Sequence, residues 1–147
     1  MAKVKTAYTN EVSSYKDNEL YSVADLNNDG VPELLHFVTA ITESSNTIVA
    51  DLFIYTFDAT KGEVVSAGIV YGRVDNDTSV YALNDGTFVL SYYHMGYEKN
   101  TYYKLDNNWV VRTKDNDAVQ AANPTKFNGT AVQFKKAADK SLLATIK

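Results

Sequence analysis

The chain has no cysteine. That excludes disulfides, zinc ribbons, iron–sulfur ligation and thiolate nucleophiles, and it leaves the redox compartment unread. Histidine is nearly as scarce: His36 and His94 are too few for a multi-histidine metal centre. No run approaches the roughly 18 to 20 apolar residues that a spanning helix needs, so no membrane-inserted segment is expected. The opening MAKVKTAYTN lacks the apolar core of a signal peptide, although the start of a mature secreted chain would look the same. Basic clusters are missing too. The 14 Lys and Arg are scattered against 18 Asp and Glu, for a net charge of −4, which disfavours a nucleic-acid partner.

With two prolines, seven glycines and no fixed-period repeat or low-complexity tract, nothing divides the sequence. Residues 1–147 read as a single domain, and 45% hydrophobic against 22% charged residues is a globular balance.

Val4, Tyr8, Val12 and Tyr15 are spaced by four, four and three, which predicts a short helix over 4–16. From Leu20 the pattern turns β-prone: LYSVADL, ELLHFVTA and IVADLFIYTF are rich in branched and aromatic residues. Turn-forming clusters then recur at strand-like intervals, at 58–62, 75–77, 84–86 and 106–108. The expected fold is mainly β (α+β): an antiparallel meander of about eight strands. The pattern leaves open whether the meander closes, stays an open sheet or wraps like propeller blades. After Asn123-Pro124, the residues Phe134, Ala137, Ala138, Ser141, Leu142 and Thr145 follow helical spacing, with Thr130 and Gln133 placed as a capping box. A short C-terminal helix is therefore expected, with TAVQF as a final strand the competing assignment.

One motif carries chemistry. Asp25-Leu26-Asn27-Asn28-Asp29-Gly30-Val31-Pro32-Glu33 places oxygen-bearing side chains at alternate positions with Gly at the sixth. A tightly curled loop would point Asp25, Asn27 and Asp29 inward, with the Val31 carbonyl seventh and Glu33 closing from position nine. The donors are all hard oxygens, which favours calcium over zinc or copper, and they are too many for magnesium, which keeps its waters. Three negative charges in one short turn repel one another unless a cation sits among them.

DLNNDGVPEL resembles the calcium loop of FG-GAP and VCBS-type repeats, in which a DxNxDG loop joins two β-strands. It shares its first six positions with EF-hand and dockerin loops, but position twelve is His36 and the flanks read as strands. More broadly, residues 6–112 are similar in their order of elements to secreted or lipoprotein modules of gut Clostridia-like bacteria. The resemblance implies an extracellular calcium-binding β module and supplies no activity.

Tyrosine is the commonest aromatic, with 11 residues, and five crowd into SYYHMGYEKNTYYKL. Rings with polar tips suit sugar faces and protein interfaces. Alternation is expected to put Tyr93 and Tyr103 on the opposite face from Tyr92 and Tyr102, so Tyr92, Tyr97 and Tyr102 are the candidate ligand-binding residues. His94 beside Glu98 has no accompanying nucleophile motif and reads as a surface hairpin residue; His36 reads as a packed or solvent-facing ring. Asp75–Asp77 and Asp115–Asp117 lack the Gly and closing carboxylate of the first loop and read as plain turns. Asn76 and Asn128 begin glycosylation sequons that matter only in a glycosylating host.

The expected function is that of a noncatalytic, secreted or cell-surface bacterial module, with one structural calcium ion and a surface for a protein or glycan partner. The alternatives are a carbohydrate-binding module using exposed tyrosines and a glycan-active hydrolase built on Glu98 with a second carboxylate.

Overall fold

The computed structural model describes residues 1–41, 48–73, 78–115 and 119–147. The expected turn at 75–77, the Asn76 sequon and most of the second acidic turn at 115–117 lie outside the described residues.

The N-terminal helix α1 spans Ala2–Val12 and buries Val4, Tyr8 and Val12, one residue per turn. Tyr15, expected to continue that stripe, lies beyond its end. Eight strands follow in meander order: β1 (Leu20–Ala24), β2 (Glu33–Ile41), β3 (Ile48–Asp58), β4 (Glu63–Arg73), β5 (Thr78–Leu83), β6 (Phe88–His94), β7 (Tyr97–Asp106) and β8 (Trp109–Asp115). Short elements β9 (Val119–Gln120), β10 (Gly129–Ala131) and β11 (Lys135–Lys136) complete the sheets. All pairings are antiparallel.

Among the described residues the meander neither closes nor wraps as blades; it splits into two sheets. The first has the order β11-β1-β2-β3-β4 and the second β10-β5-β6-β7-β8, with β9 beside β7. Tight turns join the second sheet's strands: Met95 and Gly96 both take positive φ between β6 and β7, as do Asn107 and Asn108 between β7 and β8. That is the backbone twist a two-residue hairpin requires.

Strand alternation gives each sheet two faces. Leu35, Phe37, Leu52 and Ile54 of the first sheet meet Val80, Phe88 and Tyr103 of the second, with Leu26 from the β1–β2 loop joining them. On the first sheet's other face, α1 packs Val4, Tyr8 and Val12 onto Tyr21 and Leu34, together with Ala137, Leu143 and Ile146. The order of layers is therefore helix and C-terminal chain, first sheet, second sheet.

The C-terminal helix expected from residue spacing is not formed. Thr130 pairs with Ala82 and Lys135 with Tyr21, so the run 129–136 leaves one sheet edge and joins the other. Helical structure there is limited to a 3₁₀ turn at Leu143–Thr145. Unpaired backbone groups on two sheet edges offer this segment hydrogen bonds that outcompete a weakly amphipathic helix. Part of the competing strand assignment, Thr130-Ala131, is what forms. The fit to β5 is close: a Cβ on Gly129 would stand 2.2 Å from the Ala82 carbonyl oxygen.

Candidate metal loop and the tyrosine faces

Residues 25–32 link β1 to β2, whose last and first residues, Ala24 and Glu33, are paired. The loop is thus flanked by strands. Its curl comes from side-chain oxygens capping backbone N–H groups. Asp25 Oδ1 accepts from Asp29 N at 3.2 Å and its Oδ2 from Gly30 N at 2.9 Å; Asp29 N also approaches Asn27 Oδ1 at 3.3 Å, and Val31 N donates to Asp29 Oδ1 at 2.8 Å. Asn28 and Gly30 take φ of 58° and 87°, the left-handed region that Asn tolerates and Gly enters freely.

Glu33 behaves differently from the two aspartates. It is 0% exposed, and its Oε2 accepts the Leu26 N–H at 2.7 Å. Its Oε1 is buried with no hydrogen-bond partner. Burial pushes the carboxyl up to about 8; the Leu26 N–H opposes this, while the charges of Asp29 and Asp25 add to it. This position combines an orphaned oxygen with two neighbouring carboxylates.

The five predicted residues therefore lie in one loop, but not as a ready cage. Among the described residues, no three acid or imidazole side chains stand close enough to form one. Asp25 and Asp29 turn oxygens onto the backbone. Like charges in a short loop have that arrangement as their alternative to facing one another. The donors are the hard oxygens that a divalent cation takes, but those of Asp25 and Asp29 cap the loop's own backbone, and Glu33 Oε1 is the one left unmet.

Several residues that position the loop lack a sequence signature. Leu26 anchors it in the core between the sheets. Tyr8 of α1 donates its hydroxyl to the Pro32 carbonyl at 2.7 Å. From the second sheet, the Asn84 carbonyl accepts Asn28 Nδ2 at 2.8 Å, and a Cβ on Gly86 would be 3.2 Å from the Asn27 carbonyl oxygen. The loop thus sits against the β5–β6 turn. Such contacts depend on how the two sheets pack, which local spacing does not encode.

His36, at the loop's twelfth position, is buried on β2 and stacks on Tyr15 with ring centroids 3.5 Å apart. Its Nε2 stands 3.3 Å from Glu19 Oε2, near enough for charge attraction but out of hydrogen-bond alignment. His94 is exposed at the β6 hairpin end.

The tyrosine faces differ from expectation. In the β6–β7 register, Tyr92 lies opposite Lys99, Phe88 opposite Tyr103 and Val89 opposite Tyr102. Tyr92 and Tyr103 therefore share the inner face, and Tyr93 and Tyr102 share the outer one. Of the candidate trio, Tyr92 and the 42%-exposed Tyr97 pack edge to face at 5.9 Å. Tyr102 is on the opposite side, near Phe127 and beneath the Lys114 ammonium at 4.6 Å. The three do not make one surface.

Glu98 is buried, and both its oxygens are engaged by Thr125, through the backbone N–H at 2.6 Å and through the hydroxyl. Burial pushes its carboxyl pKa up, but the Thr125 hydrogen bonds, helped by Asn100, outweigh it and leave the carboxyl below its ordinary value. No helix among the described residues is long and apolar enough to cross a membrane. No family model matches the chain, and neither a curated protein nor a solved structure matches it.

Proposed function

We propose that residues 25–33 hold one structural calcium ion and that the domain is a noncatalytic binding module of a secreted or cell-surface bacterial protein. The reading is carried by Glu33 Oε1, buried without a partner beside two aspartates in an all-oxygen loop. An unpaired buried carboxylate oxygen is costly unless a proton or a cation meets it. Asp25, Asn27, Asp29, the Val31 carbonyl and Glu33 would provide the ligands, with water completing the six to eight that calcium takes.

The ion's work would be mechanical. The loop sets where β1 ends and β2 begins, and it rests on the β5–β6 turn, so neutralising its charges fixes one sheet against the other. Extracellular calcium modules bind with dissociation constants of about 10⁻⁴ to 10⁻³ M, an affinity suited to an abundant outside ion. The hydrolase alternative needs a free Glu98, and the Thr125 bonds to both oxygens favour the noncatalytic reading. The Tyr92–Tyr97 pair keeps a glycan among the partners this module would bind.

Thermal unfolding in excess EDTA and in about 5 mM calcium tests the ion, because a ligand of the native state raises the midpoint by mass action. At a dissociation constant of about 10⁻⁴ M the gain is about 2 kcal/mol, a midpoint shift on the order of 5 °C. Asp29→Ala is expected to abolish the shift. Identical midpoints for the native chain in EDTA and in calcium would remove the ion from this loop.

A further inference from the structure

The run 129–136 leaves a fork where it passes from one sheet to the other, and strand pairing fixes which way the backbone groups face there. On β1, the Glu19 carbonyl accepts from Ala137 N and Tyr21 pairs with Lys135. Odd-numbered residues of β1 therefore turn their N–H and C=O groups toward β11. The pairing with β11 stops at Tyr21, so the next such residue, Val23, faces outward where the ladder has ended. The Ser22 hydroxyl donates to the Gln133 carbonyl, the group that a longer ladder would have turned to Val23.

On β10 the parity is the reverse. Val132 N donates to the Val80 carbonyl and Asn84 N to the Asn128 carbonyl, so even-numbered residues bond to β5 and Ala131 faces away from it. Beyond the ladders, no backbone hydrogen bond among the described residues reaches Val23 or Ala131. Both residues line one cleft of about 480 Å3. Backbone groups that a ladder leaves open take another partner, and here two open edges border a single space.

The rest of the lining narrows the ligand. It includes hydroxyl-bearing Thr130 and Thr145, apolar Leu83 and Leu142, and one charged residue, Asp25. With no basic side chain in the lining, an anion would meet Asp25 with nothing to offset it. A secondary amide suits the two edges, because its N–H and C=O point in opposite directions. We infer that the cleft binds a small molecule carrying a secondary amide, a hydroxyl group and no negative charge, its amide bonding to the open edges of Val23 and Ala131 as a strand would. Two kinds of molecule bring that chemistry at a size such a cleft holds: an N-acetylated amino sugar and a capped amino acid. No segment has to leave, since Thr130, Ala131 and Thr145 are exposed in the folded chain. The ion proposed for the loop is not required either, and an experiment in EDTA lets the cleft and the calcium reading fail separately.

The test follows the backbone amide resonances of the native chain in EDTA as a ligand is added to about 50 mM, above the millimolar constants expected of molecules this small. N-acetylglucosamine or N-acetylserinamide is expected to shift the amides of Val23 and Ala131 saturably, and the tighter of the two identifies the source. Glucose lacks the amide and N-acetylserine adds a negative charge; each is expected to bind about tenfold more weakly than its counterpart. Asp25→Asn is expected to erase the preference for N-acetylserinamide over N-acetylserine. No saturable shift at Val23 and Ala131 with either amide, or shifts confined to Tyr92 and Tyr97, overturns the proposal. Equal binding of glucose or N-acetylserine by the native chain overturns it too, as does a preference against the anion that survives Asp25→Asn. The native-chain titrations decide it even where the variant fails to fold.

Discussion

Asn28 of the β1–β2 loop donates its side-chain amide to the Asn84 carbonyl of the second sheet at 2.8 Å, while its own backbone holds a φ of 58°. One residue therefore both curls the loop and fastens it across the sandwich. Asn28→Ala forfeits a hydrogen bond of about 1 kcal/mol and adds about 1 kcal/mol of left-handed strain. Asn28→Gly loses only the bond. Urea unfolding is expected to place the Ala variant about 2 kcal/mol below the native chain and the Gly variant about halfway between.

Glu33 gives the cation-free chain a pH dependence of definite sign. Its folded value is about 8 against an ordinary 4.5, so the native state holds the proton more tightly than the unfolded one. The resulting stabilisation is complete below about 4.5 and is lost as pH rises through about 8. In EDTA, the urea midpoint of the native chain is expected to fall between pH 5 and 9 more steeply than that of Glu33→Gln. Under the proposed calcium reading the ion takes the proton's place at Glu33, and its stabilising effect is then expected to be greater at pH 9 than at pH 6.

His36 titrates with the opposite sign. Burial lowers its ring below the usual 6.5, and the attraction of Glu19 and Glu11 only partly restores it. Its contribution is present above about 6.5 and is lost as pH falls toward the lowered folded value. Nuclear magnetic resonance titration is expected to show the His36 ring protonating below the ordinary 6.5. The substitution His36→Phe, which keeps a ring to stack on Tyr15, is expected to reduce the loss of stability between pH 7 and 5.

Gly129 allows β10 to lie against β5. A methyl group there meets the Ala82 carbonyl oxygen at 2.2 Å and the Leu83 Cα at 2.8 Å, both backbone atoms that cannot swing aside. Gly129→Ala is expected to cost about 1–3 kcal/mol in urea unfolding. Ala131→Gly, on the same short strand, is expected to cost less, because it adds flexibility without a clash.

Much of this architecture is legible from the residues in order. Helical spacing of Val4, Tyr8 and Val12, branched and aromatic runs and Asn-rich turns mark α1 and β1 to β8, and DLNNDG marks a curled loop between strands. The tyrosine faces are not, because parity across a hairpin depends on which two residues make the turn. With Met95 and Gly96 there, His94 pairs with Tyr97; moving the pairing by one residue on one strand would exchange the cross-strand partners of every tyrosine. Residues 129–146 mislead for another reason. Their apolar positions suit a helix, yet Ala137, Leu143 and Ile146 are buried by a chain that follows sheet edges and then packs against α1. Nor does any local signal announce that Thr125 will meet Glu98, since 27 positions separate them.

The run from Gly129 to Lys136 binds the fates of the two sheets together. It pairs with β5 at one end and with β1 at the other, so peeling it away bares a row of unmet N–H and C=O groups on both sheets at once. Bared edges of that kind recruit strands from other molecules. Loss of this run would therefore turn a sandwich with these two edges covered into two adhesive templates, and damage at one edge would show as self-association before either core had melted.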